Sequence, residues 1–322
     1  MNAVVNTTLV GESPSLLSRS VAVAGAMAFR PVADRLPLDG PVLAGVRLLV
    51  DGIGMIAPPS RTHRRMIRYG SREALWVQAP GASAERGVIL YLHGGGFVVG
   101  SSVAYRALAS RLSRDSGAVV IVPNYPKAPE SRFPVAANDV LAWYMDLIQE
   151  GHSTEKLILA GDSAGAHLAA GVLTELKRDD MPCGVVMFSP LLDLRMTDAE
   201  ARARRRRDPL SAVALGRRAV AAYVTDEDHT DRRVDVLATD HSHWPPTLIQ
   251  VGGREMLLED ARALSERLDD GSVHHELQIW RGQVHAFQLM SFITPEARHA
   301  LRHAAEFISD RLDAAAPNML VA

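Results

Sequence analysis

The chain has a single cysteine, Cys183, among 322 residues. An intramolecular disulfide is therefore excluded, which suits a reducing compartment. Cys183 stands beside an apolar run and reads as a small buried hydrophobe rather than a nucleophile. Aromatic residues are scarce at 5%, and the formal net charge is only −2. Neither sign of charge is in the excess that would argue for nucleic acid or a membrane surface as partner. No stretch approaches the roughly 18 consecutive apolar residues of a membrane span. A signal-peptide layout is also missing, because no basic residue precedes Arg19 and Val21 to Phe29 is a short apolar patch. The expectation is a soluble, cytoplasmic protein, and the sequence is compatible with a homodimer. Internal repeats and low-complexity segments are absent. What remains is 47% hydrophobic and 22% charged, which is ordinary for a globular chain with a large core.

Residues 1–55 read as helical and poor in strand signals. Leu16, Leu17, Val21, Val23, Ala24 and Met27 recur at helical spacing, and Pro31 and Pro37 punctuate the pattern. From Arg61 the character changes. Arg61–Arg68 and Glu73–Gln78 form a candidate hairpin around Tyr69-Gly70-Ser71. Thereafter apolar runs (Gly87–Leu92, Val119–Val122, Lys156–Ala160, Val185–Phe188, Thr247–Val251, His275–Trp280) alternate with helical stretches. The runs are continuous rather than alternating, the signature of a parallel sheet buried on both faces. The pattern predicts an α/β fold with a sheet of about eight mostly parallel strands, the first pair antiparallel, flanked by helices.

One excursion breaks the alternation, from Leu192 to about Pro245. It holds Arg202 and Arg204–Arg207, a helix-like stretch Leu210–Tyr223 and an acidic turn, Thr225–Asp231. Such long insertions are usually lids or have structure of their own. We expect residues 1–55 and 192–245 to form a helical cap over the carboxyl edge of a catalytic domain made of 56–191 and 246–322. The arginine run reads as a solvated helix face in preference to a site for an acidic substrate, partner or RNA. The tail from Asp313 is expected to fray.

The chemistry gathers at strand ends, where open α/β sheets bind ligands. Gly161-Asp162-Ser163-Ala164-Gly165 lies between a strand and a small-residue helix. This G-x-S-x-G in strand–turn–helix context is a nucleophile elbow, whose glycines make room for a sharp turn that pushes the serine hydroxyl outward. A serine needs a base for its proton and donors for the oxyanion. His93-Gly94-Gly95-Gly96 follows another strand, and its N–H groups are unobstructed by Cβ atoms. Gly94, Gly95 and Ala164 are the expected oxyanion donors, with His93 structural. In this fold the order is serine, acid, histidine. His285, in the loop Gly282–Phe287 after the last strand, is the expected base. His274 and His275 begin that strand, at its wrong end, and His299 and His303 share a helix face more typical of a solvated surface than of a metal site. Glu255 follows the penultimate strand and is the expected acid, with Asp260 and Asp193 as rivals.

Together these segments resemble the hormone-sensitive lipase family of α/β-hydrolases, in its bacterial carboxylesterase branch. The resemblance rests on His93–Phe97, Tyr125–Glu130, Gly161–Gly165, Pro245-Pro246, Glu255 and Gly282–Phe287, and spans about residues 60–310. It implies hydrolysis of short- to medium-chain acyl esters, small-molecule substrates, no metal or cofactor, and a cap built from the two segments named above. Two departures stand out. The family's Y-R-L-A-P-E is Y-P-K-A-P-E here, and the usual aspartate acid is a glutamate, whose extra methylene changes its reach. An amidase or peptidase on the same fold, and a non-catalytic small-ligand receptor, are the alternatives. A receptor has no use for the histidine base.

Overall fold

A computed structural model of the chain describes residues 6–11, 13–29, 35–56, 61–205, 208–209 and 213–314. Pro31, Arg206, Arg207, Leu210 and the tail beyond Ala314 lie outside the described residues. Aliphatic runs with no polar side can be satisfied only between two layers. Among the described residues they assemble, with their neighbours, into one nine-stranded sheet. Its strands are β1 (Asn6–Val10), β2 (His63–Tyr69), β3 (Arg72–Gln78), β4 (Ser83–Leu92), β5 (Ala118–Pro123), β6 (Leu157–Asp162), β7 (Gly184–Phe188), β8 (Thr247–Gly252) and β9 (His275–Trp280). Their order is β1-β9-β8-β7-β6-β4-β5-β3-β2. Only β3 runs antiparallel to its neighbours, β2 and β5. Every residue of β5, β6, β7 and β8 is buried.

Side chains alternate across the pleat and so feed two cores. Val88, Leu90, Val119, Ile121, Leu157 and Leu159 meet helices α4 (Val135–Gln149), α5 (Ala164–Glu175) and α8 (Leu258–Asp270). Ile89, Tyr91, Val120, Val122, Ile158 and Ala160 meet α3 (Arg106–Ser116) and α9 (Pro295–Ala314).

The N-terminal region departs from the helical expectation. Asn6–Val10 is a strand that pairs in parallel with β9, from Asn6 opposite Glu276 to Val10 opposite Trp280, and it raises the count to nine. The five residues N-T-T-L-V are too few for a periodic signal, and a β-branched edge strand takes its order from its partner. The two helices expected here are α1 (Leu16–Ala24) and α2 (Gly40–Ile56). Ser15 caps α1 by accepting the Ser18 N–H at 3.2 Å, while both serine hydroxyls donate to Glu296 on α9 at 3.0 and 2.8 Å.

Helix α2 sits on the glycine-rich loop that follows β4. Its Arg47 donates to the carbonyls of Val98 and Ala128 and forks onto Glu130, each at 2.8 Å. This gives the Tyr125–Glu130 segment its structural role, and Tyr125 adds an O–H bond to the His93 carbonyl at 2.7 Å. The excursion contributes α6 (Thr197–Arg205) and α7 (Val213–Tyr223). Leu43 of α2 and Ala219 of α7 pack together on Val98. Tyr223 of α7 stacks on Phe97, centroids 4.0 Å apart and planes 11° from parallel. Both N-terminal and excursion segments thus converge on one loop.

Tyr223 is 1% exposed. Tyr223→Ala is expected to lower unfolding stability by about 3–5 kcal/mol, the usual cost of emptying an aromatic site. Urea denaturation measures it.

Candidate active site

Strand β6 delivers Ser163 to the carboxyl edge and α5 begins at the next residue. Ser163 holds φ 51° and ψ −120°, a strained backbone for a side chain with a Cβ. Its N–H donates to the Phe188 carbonyl at 3.0 Å, and its carbonyl accepts from His167 and Leu191. The flanking glycines are sterically required. A Cβ on Gly165 would lie 2.0 Å from the Leu92 carbonyl oxygen, and one on Gly161 2.7 Å from the Gly165 backbone.

The structure brings Ser163, His285 and Glu255 into one chain of hydrogen bonds. His285 Nε2 lies 3.0 Å from Ser163 Oγ, and His285 Nδ1 lies 2.7 Å from Glu255 Oε2. Glu255 is fully buried. Its other oxygen, Oε1, accepts from the Ser189 hydroxyl at 2.9 Å and from the Gly252 N–H in a short contact. The longer glutamate therefore reaches the imidazole by folding back over the turn that ends β8. Ser189 also accepts the Ala286 N–H at 3.0 Å, so one hydroxyl ties the acid to the histidine loop.

The rival carboxylates serve the backbone instead. Asp193 accepts the N–H groups of Arg195 and Thr197 at 2.8 and 2.7 Å, at the start of α6. Asp260 accepts those of Leu192 and Asp193 at 2.7 and 3.0 Å, and its burial pushes its pKa up to about 7. His299 and His303 pair with each other, Nε2 to Nε2 at 3.0 Å, and no group of three or more potential metal ligands occurs among the described residues.

The glycine run requires one correction. Gly94 was expected to leave its N–H free, but that N–H donates to Asp162 Oδ1 at 2.9 Å, with the Tyr105 hydroxyl 3.0 Å away. The N–H groups of Gly95, Gly96 and Ala164 have no acceptor among the described residues. Asp162, inside the pentapeptide, is the residue that sequence reasoning passed over. It is buried and accepts the hydroxyls of Tyr91 and Tyr105 at 3.0 and 2.8 Å as well as Gly94 N–H. Its position beside the nucleophile was the available signal. Ser189 and buried Asp208, which accepts the Met256 N–H at 3.0 Å, carried none.

Arg202 also departs from expectation. It is half-buried rather than solvated, and donates to the carbonyls of Glu255 and Gly253 at 2.7 and 3.0 Å and to Glu259 at 3.1 Å. A side chain of the excursion thus grips the loop that carries the acid. Arg204 is exposed, as read.

Electrostatics distinguish the histidines. Burial lowers His285, but the hydrogen bond and charge of Glu255 more than offset it and leave its pKa above the ordinary 6.5. Burial pushes Glu255 up, and its bond to His285 only partly reverses the shift. His93, stacked on Tyr125, and His167 have no carboxylate partner among the described residues, so burial drives them down to about 3 and about 4. A histidine NMR titration is expected to show His285 with a midpoint above 6.5 that falls in Glu255→Gln, while His93 and His167 stay neutral from pH 5 to pH 9, an interval where histidines ordinarily titrate.

Comparison with known proteins gives the family and the activity class. Residues 89–289 match a family model described as alpha/beta hydrolase fold. An esterase of Acinetobacter venetianus is 32% identical over 266 residues, 81% of this chain and 87% of that one. A carboxylesterase/phospholipase, LipF, of Mycobacterium tuberculosis is 32% identical over 311 residues, 92% of this chain and 82% of its own. The crystal structure of an esterase from the bacterial hormone-sensitive lipase family superposes with a TM-score of 0.84 at 29% identity, covering 94% of this chain and 100% of that one. The chain belongs to the α/β-hydrolase family, in its hormone-sensitive lipase branch, and is a carboxylic ester hydrolase.

Proposed function

We propose that the protein is a serine carboxylesterase that hydrolyses short- to medium-chain acyl esters through an acyl-enzyme. The observation that carries this reading is the unbroken hydrogen-bond chain from Ser163 Oγ through His285 to Glu255. In the first step Ser163 Oγ attacks the ester carbonyl carbon while His285 Nε2 takes the hydroxyl proton. The carbonyl π pair moves to oxygen, where the N–H groups of Gly95, Gly96 and Ala164 receive the charge. Glu255 stabilises the imidazolium and fixes the tautomer with the proton on Nδ1. The tetrahedral intermediate then collapses, the C–O bond to the alcohol breaks, and His285 returns the proton to the leaving oxygen. Water repeats the sequence on the acyl-enzyme, losing its proton to His285, and Ser163 recovers it as the carboxylic acid departs.

Helix α2 of the N-terminal segment and the excursion 192–245 are read as the cap, whereas β1 and α1 join the sheet edge and α9. The shared seat of α2 and the excursion on the loop after β4 supports that role, since the same loop carries Gly95 and Gly96. The preference for shorter acyl chains comes from the family resemblance, and the names of the relatives, esterase and carboxylesterase/phospholipase, agree with ester substrates.

Turnover of p-nitrophenyl butyrate tests the reading. Ser163→Ala is expected to lower kcat by about 10⁴–10⁶-fold and Glu255→Gln by about 10⁴-fold. Asp193→Asn and Asp260→Asn are expected to keep kcat. Full turnover by Ser163→Ala would remove the nucleophile, and loss confined to an aspartate variant would move the acid. The pH dependence follows from His285. Only the neutral imidazole accepts a proton, and its pKa lies above 6.5. The kcat/KM profile is therefore expected to be full on the alkaline side and to fall as pH drops through a midpoint above 6.5, which Glu255→Gln moves to lower pH.

A further inference from the structure

A cavity opens behind the loops that carry Glu255 and His285. It is an open cavity of about 680 Å³, within the range of small-molecule sites. Five arginines line it: Arg19, Arg202, Arg254, Arg262 and Arg281. They come from α1, α6, the turn after β8, α8 and the residue after β9, so no single element accounts for their meeting. Glu259 pairs with two of them, Arg202 and Arg262, at 3.1 and 3.2 Å. Arg19 spends its Nε–H on the Pro14 carbonyl at 3.0 Å. Arg254 and Arg281 bond through their backbone N–H groups only, to Gln283 and Val10, each at 3.1 Å. Their guanidiniums have no partner among the described residues. Arg254 and Arg281 thus bring positive charge to the cavity wall that no described residue neutralises.

The floor is of a different kind. Leu9, Pro14, Leu258 and Ile279 line the same cavity. Leu9, on β1, leaves 51% of its surface exposed there. A guanidinium fork matches the two oxygens of a carboxylate or the face of a phosphate. A compact inorganic anion would satisfy the rim and leave the apolar floor wet. A neutral aliphatic molecule would cover the floor and leave the charges unmatched. We propose that this cavity is a binding site, separate from Ser163, for an amphiphilic anion: an acidic oxyanion head, carboxylate or phosphate, on a short aliphatic chain. The head lies between Arg254 and Arg281, and the chain lies along Leu9 and Ile279. The site does not depend on the assignment of Ser163. Its position still matters to that centre, because Arg254 adjoins Glu255 and Arg281 leads into the loop of His285.

Isothermal titration of the whole protein with octanoate and with octyl phosphate tests the site, the two arms distinguishing a carboxylate from a phosphate head. At least one amphiphile is expected to bind, and R254Q/R281Q is expected to weaken it at least about tenfold, one lost charge-assisted contact or more. Arg281 is exposed, so R281E is a second variant that leaves packing intact, and it should weaken the same ligand. Octanol and inorganic phosphate, each lacking one half of the ligand, are expected to bind at least about tenfold more weakly than the amphiphile. The proposal is overturned if neither amphiphile binds, or if affinity is unchanged in R281E and R254Q/R281Q. Binding of octyl phosphate no tighter than inorganic phosphate would overturn it equally, because the apolar floor would then contribute nothing.

Discussion

At the centre of the sheet Gly165, at the start of α5, packs directly against the carbonyl of Leu92, at the end of β4. A methyl group at Gly165 would stand 2.0 Å from that oxygen. The absence of a side chain lets the helix begin against the neighbouring strand, and this closeness sets much else. It fixes the strained backbone of Ser163. It brings Asp162 within bonding distance of the Gly94 N–H. It also places the nucleophile and the glycine run, which are distant in sequence, on adjacent strand ends.

Around that contact the chain uses two arginines in the same way. Arg47, from α2, holds the carbonyls of Val98 and Ala128 beside the glycine run. Arg202, from α6, holds the carbonyls of Gly253 and Glu255 beside the acid. Both belong to segments outside the alternating strand–helix core, and both end on backbone oxygens of loops that need exact placement. A guanidinium suits the task because its fork bonds two carbonyls at once.

How far the sequence disclosed this arrangement depended on the kind of signal. Buried strands of the sheet were legible because parallel strands carry continuous apolar runs. Ser163, His285 and Glu255 were legible because strand-end position is strongly constrained in this fold. The strand Asn6–Val10 was not, since an edge strand of five residues is defined by its partner. The role of Gly94 was misread because three successive glycines look alike in sequence, while their N–H directions differ in space. Ser189 and Arg202 escaped for another reason. Each acts through tertiary contacts, and no periodicity or motif records contacts between residues so far apart in the chain.

The network around Asp162 has a further consequence. Asp162 is covalently bound to Ser163 and hydrogen-bonded to Gly94, while Tyr91 and Tyr105 immobilise its carboxylate. The separation between the serine and the glycine run is thus measured through one residue rather than across the whole sheet. In mechanical terms the two share a common datum. Small displacements elsewhere, in the helices or at the sheet edges, move both together, and positional error does not accumulate between them. The outer strands are then free to vary in shape while the spacing at the centre stays fixed.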